Sequence, residues 1–432
     1  MNALPRTRLV AILGGVLATA VVATGCSASG DAGGDGELAP VTFSSQPVFD
    51  SALPIAADAL GYFEDAGIRL ESFRTTGDLA AQISLAAEGS VDIVSMVPEV
   101  SLPAAITFPD TSWISVNDIW YGGAFMQRED GSLKTYDQIA KQDTNLDESE
   151  VLRATLDQFE GLTLITNYEQ ESQGLVNLFE AAGIKEAPDE FMDVQSMASP
   201  QGVTAFLRGE GDLFVGSLPE RYRVQEFGGV PVTSALEWPS LPGTVYYVGW
   251  YGDDKWIDEN EDTVLRVLGA QFRVARDLSV RTLDADPTQD AALEPMLEWV
   301  NEESGSEFTL EYAREVNAVT SPWFTVEEAG EVLFAEQSDR NFQNYLDTTL
   351  QFLTASGSID GDVDVVAQNR AAVLYDTYVG YGDEAATLIA DLKAQGLSGE
   401  AAELLEKAEH HYDILNFVDA AAFAQQAADN AG

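Results

Sequence analysis

The chain has 432 residues, 45% of them apolar, enough to bury more than one core. Its 72 acidic and 22 basic residues give a formal charge of −50, which argues against nucleic acid and anionic lipid headgroups as partners. The single cysteine, Cys26, excludes a disulfide within the chain and a multi-cysteine metal cluster, and the two histidines, His410 and His411, read as solvated helix residues near the C-terminus. The main body therefore has no imidazole for Ser-His-Asp or Cys-His catalysis, and we expect no catalytic residue, no metal and no cofactor.

The first 25 residues read as a signal peptide. Arg6 and Arg8 precede an apolar run from Leu9 to Ala23, which is short for a bilayer-spanning helix. Ala23, Thr24 and Gly25 then lead into Cys26, a layout that resembles a bacterial lipoprotein cleavage site with Cys26 as the lipidated residue. An ordinary signal cut nearby, leaving Cys26 a free thiol, is the other reading. Residues 26–40, small and acidic, suit a flexible tether.

The folded body begins near Val41. "VTFSSQPVFD" opens with a strand and an aromatic-bearing loop, and "SALPIAADALGYFEDAG" has helical spacing up to Gly67. "IRLESFRTTG" alternates like a strand, "DLAAQISLAAEG" is a helix closed by Gly89, and "VDIVSMVP" is a buried strand. "EVSLPAAITF" begins another helix, and "TSWISVNDIWYGGAFMQRED" holds one or two strands. This order implies a largely parallel sheet covered by helices.

The middle repeats the scheme. Leu162–Thr166 reads as a strand, Asn167–Glu171 as a polar loop, and a helix runs from about Ser172 to Ala182 with Ser172 as its N-cap. "FMDVQSM" is a strand, "SPQGVTAFLRGEG" a helix and "DLFVGSLPER" a buried strand. In both halves an amphipathic helix closes on a glycine before an aspartate-bearing strand ("AAEGSVDIVSM", "LRGEGDLFVGSL"), and each strand ends in small polar residues, Ser95 and Ser217. Ligands in open α/β sheets sit beyond the carboxyl ends of the strands, so two such lobes can face one cleft. "TVYYVGWYGDD" is a strand that returns to the first lobe. Helical patterns follow from about Glu259, and the last segment reads as two helices joined around Gly396.

These residues together resemble the periplasmic-type solute-binding proteins of ABC importers, in the nitrate/sulfonate/taurine group that includes thiamine-pyrimidine-precursor binders. The resemblance spans Val41 to Tyr381. It is carried by "PIAADALGYFEDAGIRLE", in which Ala57, Gly61, Tyr62, Phe63, Gly67 and Ile68 fit the family pattern, and by Gly89-x-Val91-Asp92, matched again by Gly209 or Gly211 with Asp212. "FEGLTLITNYEQESQGLVNLFEAAGI" and "WVNEESGSEFT" add to it. It implies an α/β, two-lobed periplasmic binding protein fold of type II, here with a C-terminal helical extension. Residues 41–127 would be the first part of lobe 1, 128–244 lobe 2, 245–382 the return to lobe 1 with C-terminal helices, and 383–432 the extension. Hinge strands would lie near Ile119–Gln127 and Val245–Tyr251. The implied partners are a small-molecule ligand, an ABC permease and ATPase, and the outer face of the bacterial cell membrane through the lipid on Cys26. Where relatives often carry Trp-x-Pro-Tyr/Phe after the second-lobe strand, this chain has "SLPER", Ser217–Arg221.

By position the cleft would be lined by Gln46, Phe49, Ser95, Met96, Pro98 and Glu99 from lobe 1, and by Trp120 and Tyr121 at the first hinge. Asn167, Tyr168, Glu171, Ser172, Ser217 and Glu220 would come from lobe 2. Hinge packing stands beside ligand stacking for Trp120 and Tyr121, as helix capping does for Ser172. Glu99 and Glu220, if both face the cleft, favour an amine or another hydrogen-bond donor, whereas Arg221 and Arg223 would favour an anion. The expected function is an extracytoplasmic lipoprotein that captures a small organic solute or anion for an importer. A ligand-free scaffold or sensor on the same fold is the alternative.

Overall fold

The computed structural model describes residues 38–431 apart from 122, 198, 217, 239–244 and 356. The expected signal peptide, Cys26 and most of the tether lie outside the described residues, as does Ser217.

The first lobe starts with β1 (Ala39–Ser45), a 3₁₀ turn (Phe49–Ser51), α1 (Leu53–Ala59), α2 (Tyr62–Asp65) and β2 (Ile68–Thr75), then α3 (Leu79–Ala87), β3 (Ile93–Met96), α4 (Pro98–Ala104) and β4 (Thr111–Trp120). The second lobe holds β5 (Ala124–Gln127), α5 (Tyr136–Gln142), α6 (Glu148–Leu156), β6 (Thr163–Thr166), α7 (Tyr168–Ala181), α8 (Pro188–Phe191), β7 (Asp193–Ser196), α9 (Ser199–Leu207), β8 (Leu213–Val215), α10 (Leu218–Glu226) and β9 (Val230–Ser234). The chain then returns as β10 (Tyr246–Asp253) and continues in helices α11 (Asp254–Glu259), α12 (Glu261–Leu278), α13 (Pro287–Ser304), α14 (Leu310–Glu315), α15 (Val326–Ala329), α16 (Phe342–Ala355) and α17 (Val365–Gln368). A π-helical turn, Val316–Thr320, follows α14.

One sheet has the order β2-β1-β3-β10-β4 and the other β7-β6-β8-β5-β9. In the first, β1 runs parallel to β2 and β3, while β10 runs antiparallel to β3 and β4. In the second, β6 is parallel to β7 and β8, and β5 is antiparallel to β8 and β9. The stretch read as one or two strands is two, β4 and β5, one in each sheet.

The repeated aspartate has a structural job in both lobes. Asp92 Oδ2 accepts from the Thr42 backbone N–H at 2.8 Å and from its hydroxyl at 2.7 Å, so it stitches the start of β3 to β1. Asp212 Oδ2 accepts from the Thr163 N–H at 3.0 Å, which fixes β8 against β6. Both aspartates satisfy donors that would otherwise be stranded at a sheet end.

Four element expectations are corrected. The helix read from Ser51 to Gly67 is two, because Gly61 takes φ 75°, a left-handed value that ends α1 and starts α2. The loop Asn167–Glu171 is mostly helix: α7 begins at Tyr168 with Asn167 as its N-cap, so Ser172 lies inside the helix and does not cap it. β8 stops at Val215, and Leu218–Glu226 is helical with its proline in the first turn, where the missing N–H costs nothing.

The C-terminal segment has three helices instead of two: α18 (Arg370–Gln395), α19 (Glu400–Asp413) and α20 (Phe417–Ala431). Gly396 separates the first pair, and Leu415, at φ 62°, turns the chain between the last two. They dock on α12. Gly269 brings the α12 backbone so near the Leu415 carbonyl that an added Cβ would sit 2.4 Å from that oxygen. Among the described residues no helix is long and apolar enough to cross a membrane.

Candidate functional site

The carboxyl ends of the parallel strands in both sheets point toward the crossings between the lobes, where β4 ends and where β10 begins. Trp120, last in β4, and Tyr246, first in β10, are register partners, and their rings lie 5.6 Å apart. They wall a cavity of about 50 Å³ that both lobes line. Lobe 2 adds Phe125, Glu171, Leu175, Val215 and Trp238. Gly174 lets α7 approach, since a Cβ there would lie 2.5 Å from the Tyr246 hydroxyl oxygen. A larger open hollow of about 500 Å³, bounded by Arg128, Phe206 and Phe227, lies at the opposite end of the second sheet, away from the crossings.

The cleft is rich in carboxylates. Burial pushes Glu171 up to about 7, and the Glu220 charge adds to it. Burial also lifts Glu99 to about 7, against the Tyr345 hydrogen bond. The Tyr345 hydroxyl lies 2.5 Å from Glu99 Oε1 and 2.6 Å from the Val245 carbonyl oxygen. One hydroxyl proton serves one acceptor well, so both contacts are satisfied when Glu99 is protonated and donates to Tyr345. Its other oxygen, Oε2, is buried without a hydrogen-bond partner among the described residues. Tyr246, facing both Glu99 and Glu171, is pushed well above the usual tyrosine range, chiefly by burial.

Deeper in lobe 1, burial raises Asp50 to about 6, and it raises the fully buried Asp118 with help from the Asp50 charge. Asp118 Oδ2 accepts from the Ser321 hydroxyl, while Oδ1 has no partner among the described residues. The π-helical turn positions that contact, because its Thr320 carbonyl also takes the Tyr121 N–H at 2.7 Å.

An aromatic cluster joins the lobes at a second point. Tyr222 of α10 lies 4.1 Å from Tyr312 and 6.0 Å from Phe308, and Phe49 packs on both of those rings. Tyr312 is 4% exposed, and its hydroxyl has no hydrogen-bond partner among the described residues. Beside it Arg221 is buried, which lowers its guanidinium against the pull of Tyr312, Glu315 and Glu237.

The structure brings Trp120, Glu171, Glu99 and Glu220 of the expected set around the crossings. Tyr121 is buried there under the Arg340 guanidinium, 5.5 Å from its ring centre. Ser95 is buried and shares a hydrogen bond with Ser51 at 2.7 Å. Met96 and Pro98 are buried, Met96 completely and within the core. Gln46 instead reaches outward and donates to the Gly77 carbonyl at 2.8 Å. Phe49 belongs to the aromatic cluster, and Asn167 caps α7 through its backbone. The side chains of Tyr168 and Ser172 lie outside the described residues.

Sequence reading missed Asp50, Asp118, Tyr222, Trp238, Tyr246, Tyr312 and Tyr345. Tyr246 was within reach: it opens the returning strand as Trp120 closes the departing one. Asp118, an acid in the otherwise uncharged run "WISVNDIW", was a second available signal. Tyr222, Tyr312 and Tyr345 sit on helices, where an aromatic residue reads as ordinary packing.

No family model matches the chain, and no curated protein matches it in sequence. Solved structures do. The chain is similar to the periplasmic aliphatic sulphonate-binding protein SsuA of Escherichia coli, at 11% identity over 76% of this chain and 91% of that one, with a TM-score of 0.53. It is similar to the ligand-binding component of an ABC-type import system from Staphylococcus aureus, a structure with zinc bound, at 8% identity over 78% and 98%, TM-score 0.50. The desulfurization enzyme DSZB matches at 13% identity over 78% and 98%, TM-score 0.48. The chain has the two-lobed α/β fold of the periplasmic binding proteins, with three further helices at its C-terminus.

Proposed function

We propose that this protein is an extracytoplasmic solute-binding lipoprotein of an ABC importer, closing its lobes on a small solute and presenting it to a permease driven by an ATPase. The observation that supports this most is the cavity at the strand crossings, lined from both lobes by aromatic rings around one carboxylate. Hinge motion at the expected strands, near Ile119–Gln127 and Val245–Tyr251, would open and close it. We place the lobes as expected except at the crossings, with β5 (Ala124–Gln127) belonging to the second sheet: 41–120 with 246–382 for the first lobe, 124–234 for the second, and 383–432 as the extension. The lipid on Cys26 would hold the protein at the outer face of the cell membrane.

A fold of this kind does not decide between binding and catalysis. The described residues lining the cavity include no serine, cysteine or histidine, so a nucleophile–base pair would have to come from elsewhere. We read the activity as binding without turnover.

The test is a thermal-shift screen of the full chain against small anions, sulfonates, amines and aminopyrimidines. A ligand bound only by the native state adds about 2.7 kcal/mol at one hundred times Kd. A shift with one class, the solute recovered unchanged, supports the reading; conversion of the solute points to an enzyme instead. Replacing Cys26 with serine should release the protein from the membrane fraction.

The scaffold reading has one observation in its favour: the Tyr222 and Tyr312 rings already meet between the lobes. It predicts that no solute changes the protein's stability or its shape in solution.

A further inference from the structure

We propose that the cleft selects a small organic cation and seats its ammonium group against Glu171, between the ring faces of Trp120, Tyr246 and Trp238. This rests on the solute-binding reading and names its ligand class.

The cavity is the starting point. Glu171 is its one charged lining residue among those described, and no lysine or arginine lines it. A carboxylate walled by indole and phenol rings matches a cation twice, by charge and through the negative faces of the rings. A carboxylate kept away from water needs such a partner, because burying an isolated charge is costly.

Among the described residues no lysine or arginine lines the cavity to supply that partner. The neighbouring charge at Glu171 is another carboxylate, Glu220. Beyond Tyr246 lies Glu99, with its buried oxygen unpaired, and deeper still Asp118 has a second one. The nearby cations are engaged elsewhere: Arg221 faces Tyr312, Glu315 and Glu237, and Arg340 lies over Tyr121. The ionisable side chains around Glu171 are therefore acids, from both lobes, and its charge neighbour is Glu220.

The same arrangement argues against an anion. A helix N-terminus grips anions through free N–H groups and the positive end of its dipole. Here the first turns of α7 and α10, the two lobe-2 helices that start at the cleft, carry Glu171 and Glu220. The chain's own acids already stand where a sulfonate or nitrate would bind.

The experiment titrates the full chain, in mild detergent, with tetramethylammonium, choline and phenethylammonium. The neutral alcohol in which carbon replaces the choline nitrogen, and methanesulfonate, are the comparison probes. Tryptophan fluorescence reports the event, since Trp120 and Trp238 wall the cavity, and thermal shift confirms it. We expect an ammonium probe to bind roughly tenfold or more tighter than its neutral isostere. We expect Glu171→Gln to lose that preference while its unliganded melting temperature does not fall.

Binding of methanesulfonate without any ammonium response would overturn the cation proposal and leave the solute-binding reading standing. Ammonium binding that survives Glu171→Gln unchanged would overturn the assigned seat. Silence from every probe would overturn the cation proposal, and the broader solute screen would then decide the binding reading separately.

Discussion

The interlobe cleft and the C-terminal bundle both bury acids, and they treat them in opposite ways. In the bundle, Asp419 is met by Arg266 at 2.7 Å and by the Asn416 amide at 2.8 Å, and Arg276 takes the Asp413 carbonyl at 2.8 Å. Rings fill the remaining space: Phe417 stacks on Tyr378 at 4.8 Å and His411 on Phe423 at 5.1 Å. In the cleft, Glu99, Glu171, Asp50 and Asp118 are pushed toward protonation by burial, and Glu99 Oε2 and Asp118 Oδ1 have no partner among the described residues. A chain this acidic could have spent an arginine in the cleft as it did in the bundle. The difference marks the bundle as structure; on the proposed function, the cleft is where stability is given up for binding.

The largest effect should come from breaking the bundle. Phe417 is buried, lies on Tyr378 and Tyr412, and its ring fills the space that Gly382 leaves. Phe417→Ala should cost about 3–5 kcal/mol by denaturant titration, the usual range for deleting a buried ring. Solute affinity should stay unchanged, since α20 packs on α12, α18 and α19 and not on the crossings. A matching loss of affinity would tie the extension to the hinge and blur the contrast between the two regions.

The cleft should respond in the other direction. Glu171→Gln removes a buried acid whose charge neighbour is Glu220 and keeps its shape, so the unliganded protein should gain about 1–3 kcal/mol at about pH 8. The sign follows from the raised value. A carboxyl held at about 7, above its unfolded value, stabilises the fold most while it is protonated in both states, and that contribution disappears as pH rises through about 7. Wild-type stability should therefore fall between about pH 4.5 and 7, with Glu99 and Asp50 adding to the slope. Glu171→Gln should flatten it. Below that window the trend reverses, because Asp290 and Glu328, held low by their partners Arg314 and Arg281, lose stabilising charge as pH falls. A melting profile that rises steadily from pH 5 to 8 would contradict the unpaired acids in the cleft.

The fold was legible because its signals are periodic. Apolar strands at regular intervals and glycine-closed helices gave both lobes, and Asp92 and Asp212 declared themselves by occurring in the same place twice. Breaks set by a single residue were harder to see. Leu415 takes a left-handed conformation that its side chain does not advertise, and Gly61 reads as a tolerated helix glycine until its φ is known. The site was half legible. Strand ends pointed to Trp120, Glu99 and Glu171, but the residues that complete the cavity come from far along the chain. Tyr345 reaches Glu99 across 246 positions and Ser321 reaches Asp118 across 203, distances at which no sequence pattern links two residues.

The smallest effect on stability should also be the most informative about motion. Tyr222 is half-buried, and its ring pairs with Tyr312 across the lobes, a contact worth about 0.5–1.5 kcal/mol beyond area. Tyr222→Ala should therefore lower the melting temperature only slightly. On the closing-trap reading the pair forms only when the lobes are together, so its loss would fall almost entirely on the closed form. About 1 kcal/mol moves a two-state equilibrium roughly fivefold, enough to raise the radius of gyration of the unliganded chain in small-angle scattering. Added solute should restore compaction, at a correspondingly higher concentration. A variant as compact as the wild type with or without solute would mean that the lobes do not move, and the scaffold reading would then be preferred over a closing trap.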